Sequence, residues 1–172
     1  MNIMQNKTKL MVITALFTAI MTALTMTITV SLGAYGYFNL SDMFIYLLAT
    51  CMPLSSTVFV AGIGCALADM FAGYSQYVLI TLIAKSLEAI VVYYLYHKVK
   101  AFSVLSFAIG ALVMMTIYGL GDSFLASSFA AFVPSFMANI PQGLACVILD
   151  SILYRPFNKI MERLNDWSKE DS

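Results

Sequence analysis

Lys85 and Glu88 stand three residues apart inside an otherwise apolar stretch. On a helix that spacing places both side chains on one face, about one turn apart. Charged groups inside a bilayer are costly and mark a functional site by default. Two chemistries fit the pair: recognition of a polar ligand, or an internal ion pair that neutralises itself. Further polar residues stand at the ends of apolar runs: Asn39 and Asp42, Asp69 and Tyr74, and Asn139 and Gln142 on either side of Pro141. Their amide and carboxylate groups can bind hydroxyls and ring nitrogens, and Tyr37 or Tyr74 offers a face for stacking a heteroaromatic ring. Each also has a local use. Asp42 suits a helix N-cap, and Asp69 an interfacial helix end. Asn139 and Gln142 suit a backbone interrupted by proline, and the tyrosines an interfacial belt.

Composition sets the elements that hold these residues. Of 172 residues, 61 % are hydrophobic and 10 % charged, with nine basic and nine acidic side chains and no net charge. The mean hydropathy is +0.87. A soluble domain carries about 25 % charged residues, so the chain reads as an integral membrane protein. That excludes a soluble enzyme and a disordered chain, and neutral charge argues against a nucleic-acid partner. Cys51, Cys65 and Cys146 lie in apolar stretches without C-x-x-C spacing, and His97 stands alone, so neither a disulfide framework nor a zinc site is expected. The sequence contains no phosphate-binding G-x-x-x-x-G-K-[ST] loop, nucleophile–base arrangement or cofactor motif. Transport energy would then come from a partner or an ion gradient.

The apolar runs predict an all-α membrane bundle, one transmembrane domain over 1–172, with six helices at about 10–32, 40–52, 54–72, 77–96, 101–120 and 134–163. The first run is longer than the roughly 7–15 residues of a signal-peptide core, so it reads as a retained helix. The segment 33–39, with glycines on both sides of Tyr35, reads as a loop able to act as a lid, and 121–133 as a second loop carrying Asp122. Gly62, Gly64, Ala66 and Ala68 give the small-residue spacing that lets membrane helices approach closely. If every run crosses, eight of the nine basic residues fall on one side, and the positive-inside rule makes that side cytoplasmic. Both termini are then cytoplasmic, and the short run 40–52 must cross in a thin or protein-buried position. On this topology Asp42 lies near the outer mouth, Lys85 roughly 12 Å below it, and Asn39 and Asp122 in outer loops. The polar groups gather in the outer half and the inner half holds almost none. That pattern predicts a pocket open to the outside. It disfavours a stand-alone ion-coupled transporter using Lys85 and Glu88, which would want polar residues continuing inward. A membrane-embedded enzyme lacks a catalytic set, and a purely structural partner leaves Lys85 and Glu88 unexplained. Ala15, Ala19 and Ala23 form a smooth stripe, fit for close packing in the bundle or for docking another membrane subunit.

The chain resembles the substrate-binding S components of energy-coupling factor (ECF) transporters. The resemblance rests on residues 37–42 (YFNLSD), Pro53, 62–69 (GIGCALAD), Gly73-Tyr74, 81–88 (TLIAKSLE) and 139–143 (NIPQG). The alanine stripe is similar to the family's first-helix A-x-x-x-A motif, which contacts the coupling subunit. The likeness is nearest to members proposed to carry hydroxymethylpyrimidine or pyridoxine; pantothenate is another vitamin of the family. It implies a multi-pass protein of a bacterial plasma membrane that captures a small-molecule vitamin from outside. It also implies partners, a transmembrane coupling (T) subunit and two ATPases, and delivery of the ligand inward.

Overall fold

A computed structural model describes residues 7–27, 29–31, 37–100 and 102–170, and the side chains of 7–27, 39–100 and 102–163. The chain forms α1 (Lys7–Thr27), β1 (Thr29–Ser31), β2 (Tyr37–Asn39), α2 (Ser41–Cys51), α3 (Leu54–Phe71), α4 (Val78–Tyr94), α5 (Ser103–Leu125) and α6 (Phe132–Glu170). A wider π turn over Leu95–Val99 follows α4, and a short 3-10 turn, Phe129–Ala131, precedes α6. Among the described residues, five helices are long and apolar enough to cross a membrane.

The short α2 is the axis of the bundle. Nine of its residues, Ser41, Asp42 and Phe44–Thr50, are buried. Its eleven residues give about 16 Å of helix, half a bilayer core. The antiparallel hairpin β1–β2, in register Thr29↔Asn39 to Ser31↔Tyr37, leads the chain into it. An apolar run so short thus sits inside protein, as an all-round hydrophobic helix must. Pro53, extended at φ −58 and ψ 146, ends it and starts α3.

Neighbouring helices alternate in direction. Thr14 donates to Ser56 Oγ (3.0 Å) and Thr22 to the Gly64 carbonyl (2.9 Å), so α1 and α3 run parallel. Tyr46 meets Glu88, and His97 meets the Ala49 carbonyl at 2.9 Å, so α2 and α4 run parallel. Asn39 and Thr50 bond Gln142 and Asn158, which aligns α2 with α6. The start of α1, the end of α2, the end of α4 and the region of Arg155 and Lys159 therefore share one end. Lys7, Lys9, Lys98 and Lys100 are at that end too. Gly64 allows the α1–α3 contact: a Cβ there would meet the Met21 side chain at 2.7 Å. Gly62, on the other side of α3, lies equally close to Ser86 of α4.

Two expected boundaries differ. The segment 121–133 is a shorter connection than expected: α5 continues to Leu125, with Asp122 buried inside it, and only 126–131 link it to α6. Tertiary packing overrides the two glycines here, because Gly121 lies flat against Ile80 and Gly119 against Phe132. The last helix begins at Phe132 and runs on to Glu170, past the expected 163. Of the segment 33–39 read as a lid, 33–36 lie outside the described residues and Tyr37–Asn39 form β2.

Candidate functional site

At the end of the bundle away from the cluster of basic residues, the helices line a small, partly open cavity. Thr25 of α1, Asn39 of β2, Ser41 of α2, and Cys65 and Asp69 of α3 form one wall. Tyr77, Thr81 and Lys85, Tyr118 of α5, and Asn139 and Gln142 of α6 form the other. Periodicity explains the assembly. Tyr77, Thr81, Lys85 and Glu88 recur every three or four residues along α4, and Ser135, Asn139 and Gln142 do so along α6.

Lys85 is the centre. Its ammonium pairs with Asp42 Oδ1 and lies 3.3 Å from Glu88 Oε2, and all three side chains are at most 1 % exposed. Gln142 Nε2 donates to the other Asp42 oxygen at 2.8 Å, and Gln142 Oε1 accepts the Asn39 backbone N–H at 2.9 Å. Tyr46 OH donates to Glu88 Oε1 at 2.6 Å, and its ring stacks on Phe107 with centroids 5.3 Å apart. The Lys85 ammonium also stands 5.7 Å from the Tyr118 ring centroid, and the Tyr118 hydroxyl is 2.9 Å from Thr81 Oγ1. An ammonium has three N–H donors. Two face Asp42 and Glu88, which leaves one for whatever occupies the cavity.

This network revises several expectations. Asp42 is not a helix cap, since α2 has no side-chain cap bond; Asn39 Oδ1 accepts the Ser41 N–H at 2.9 Å instead. Nor is Asp42 above Lys85 at an outer mouth: the two side chains touch. Lys85 lines the cavity, whereas Asp42 and Glu88 stand behind it. Asn139 and Gln142 lie on the wall, and Asn139 Nδ2 donates back to the Ser135 carbonyl at 2.9 Å. Asp69, 3 % exposed, is on the wall near the end of α3. Tyr74 is not on the wall. It sits in the turn after α3 with its ring 6.5 Å from that of Tyr77. The side chain of Tyr37 lies outside the described ones.

The candidate site set lacks six residues that line the wall, Thr25, Ser41, Cys65, Tyr77, Thr81 and Tyr118, although Tyr77 and Tyr118 fall in the outer-half polar cluster and the α4 spacing carried the signal for Tyr77 and Thr81. The sequence reading also missed how Asp122 is held: Tyr77 OH donates to its Oδ1 at 2.5 Å and Ser135 Oγ to its Oδ2, joining α4, α5 and α6 beside the cavity. The inner half is not empty either. Beyond Glu88 come fully buried Asp150 on α6 and the Thr50–Asn158 hydrogen bond of 2.8 Å. Asp150 was hidden because the end of the last run reads as an amphipathic helix emerging from the bilayer.

Ala15, Ala19 and Ala23 are exposed on the outer surface of α1, beside Met11 and Leu16, at 71 % and 56 % exposure. Packing inside this bundle therefore does not account for the stripe.

Comparison with known proteins gives one family. Residues 5–159 match the family described as the ECF-type riboflavin transporter, S component. No curated protein matches the chain. The matched region holds every element from α1 to the middle of α6, and with it the whole cavity. The chain belongs to the ECF-type riboflavin transporter S component family, a family of multi-pass membrane transport components.

Proposed function

We propose that this chain is the vitamin-capturing subunit of an ATP-driven ECF importer, with the cavity around Lys85 as its binding site. The observation that carries the reading is a cavity whose wall is made of polar side chains from all six helices and includes Lys85, the one buried lysine among the described residues. The side chains of these walls have the chemistry to recognise a hydroxylated heteroaromatic ring. Tyr77 and Tyr118 supply apolar faces, Asp69, Asn139 and Gln142 bind hydroxyl and ring N–H groups, and Lys85 binds a ring nitrogen or oxygen. A single-ring ligand, hydroxymethylpyrimidine or pyridoxine, is the first reading from the side-chain set. Riboflavin is the second, favoured by the family's description.

The partners follow from family membership: a transmembrane coupling subunit and two ATPases. The exposed stripe Ala15–Ala19–Ala23 supports docking of the coupling subunit on α1, since small side chains permit close helix approach. The alternating helices, with the lysines at one end, support six crossings and both termini on the cytoplasmic side of a bacterial plasma membrane.

Reconstitution tests the reading. The purified chain should bind one of the three vitamins without ATP. Vesicles should take it up only when the coupling subunit, the ATPases and ATP are present. Uptake by the chain alone, abolished by collapsing an ion gradient, would establish the secondary-transporter alternative that uses Lys85 and Glu88.

A further inference from the structure

Asp150 lies in the middle of α6, 0 % exposed, and neither of its carboxyl oxygens has a hydrogen-bond partner among the described residues. It is on the buried face that carries Asn139, Gln142 and Cys146. Eight residues beyond Gln142, it is about 12 Å further along the axis, towards the basic end. Charged and titratable neighbours surround it. Asp42 of α2 and Glu88 of α4 act on it electrostatically, and Cys146 lies one turn away on its own helix. Tyr46 of α2 is bound to Glu88. From α5 comes no charge at this level: Phe107 stacks on Tyr46 and meets the ring of Tyr154, one turn beyond Asp150. The one buried cation among the described residues, Lys85, is engaged by Asp42 and Glu88.

A carboxylate anion here would have neither a hydrogen-bond donor nor a free cation among the described residues. Burial without such partners strongly disfavours the charged form. We propose that Asp150 is a proton-binding site inside the membrane part of α6. The carboxylate takes one proton from water and becomes the neutral acid; no other bond changes. The site stands between the Asp42–Lys85–Glu88 cluster and the basic end. Any movement that admits water to this stretch of α6 releases the proton, so that movement is linked to pH.

Infrared spectroscopy of the full chain in lipid nanodiscs tests this without any vitamin. At neutral pH the wild type should show a protonated-carboxyl band that shifts in heavy water, and Asp150→Asn should remove it. The folded chain holds a proton that the unfolded chain gives up. Wild-type thermal stability should therefore fall as pH rises from neutral, and Asp150→Asn should flatten that slope. Asp150→Leu should also fold, because a neutral side chain of similar size replaces a neutral acid. A band that persists in both variants, or equal pH slopes for wild type and Asp150→Asn, would overturn the assignment. So would failure of both neutral variants to fold.

Discussion

Lys85 holds two buried carboxylates, and removing it alone leaves both uncompensated. Breaking a buried pair in this way costs about 3–5 kcal/mol. Lys85→Met is therefore expected to lower the unfolding temperature sharply, and Asp42→Asn added to it should restore part of the loss, since Glu88 still lacks its cation. Two single losses that simply add in thermal unfolding would show that the residues do not act together. The sequence made Lys85 and Glu88 legible as a pair because helical spacing alone brings them together. It did not reveal Asp42 as the nearer partner, since that contact joins residues 43 apart on two parallel helices. Local periodicity carries no information on such a pairing. Asp150 was hidden for a related reason: its surroundings come from α2 and α4, not from its own helix.

The hydrogen bonds at Asp122 fix the order of α4, α5 and α6 beside the cavity. Tyr77→Phe and Asp122→Ala should each cost about 1–3 kcal/mol in unfolding. The double variant should cost less than the sum, by a coupling of about 0.5–3 kcal/mol. Additive losses would show that the bond contributes nothing to the tie. The α1 stripe predicts the opposite behaviour. Ala19→Trp adds bulk to an exposed face, so stability should change by no more than about 0.5 kcal/mol while assembly with the coupling subunit is lost. Retained assembly on pull-down would remove the stripe from the interface. Helix positions were readable from apolar run length, and the small-residue spacing in α3 correctly marked close packing. The continuation of α5 through its two glycines was not readable. Glycine and serine favour a turn locally, and only contact with Ile80, Phe132 and Tyr77 decides otherwise.

The whole molecule has two unlike ends: cavity, hairpin and Tyr74 at one, and most of the basic residues at the other. Impermeant-thiol labelling in intact cells should therefore modify a cysteine placed at exposed Ser75 or Ser127. A cysteine replacing exposed Lys98 should stay unlabelled. Labelling at Lys98 would invert the orientation and close the proposed route of vitamin entry. The native thiols interfere little, as Cys65 and Cys146 are buried and Cys51 is partly so. Charge asymmetry made this polarity legible in the sequence, and the family match agrees with the membrane reading over residues 5–159. The ligand was not legible, because amides, carboxylates and tyrosines on a wall suit several hydroxylated rings. The most direct measurement is isothermal titration of the purified chain with hydroxymethylpyrimidine, pyridoxine and riboflavin, repeated on the folded Lys85→Met/Asp42→Asn double variant. The account predicts saturable binding of one vitamin to the wild type. A lost hydrogen bond to a charged group is worth about 1.5–3 kcal/mol, so affinity in the variant should fall by about tenfold to over a hundredfold. A folded variant that binds the same vitamin with unchanged affinity would contradict a site centred on Lys85.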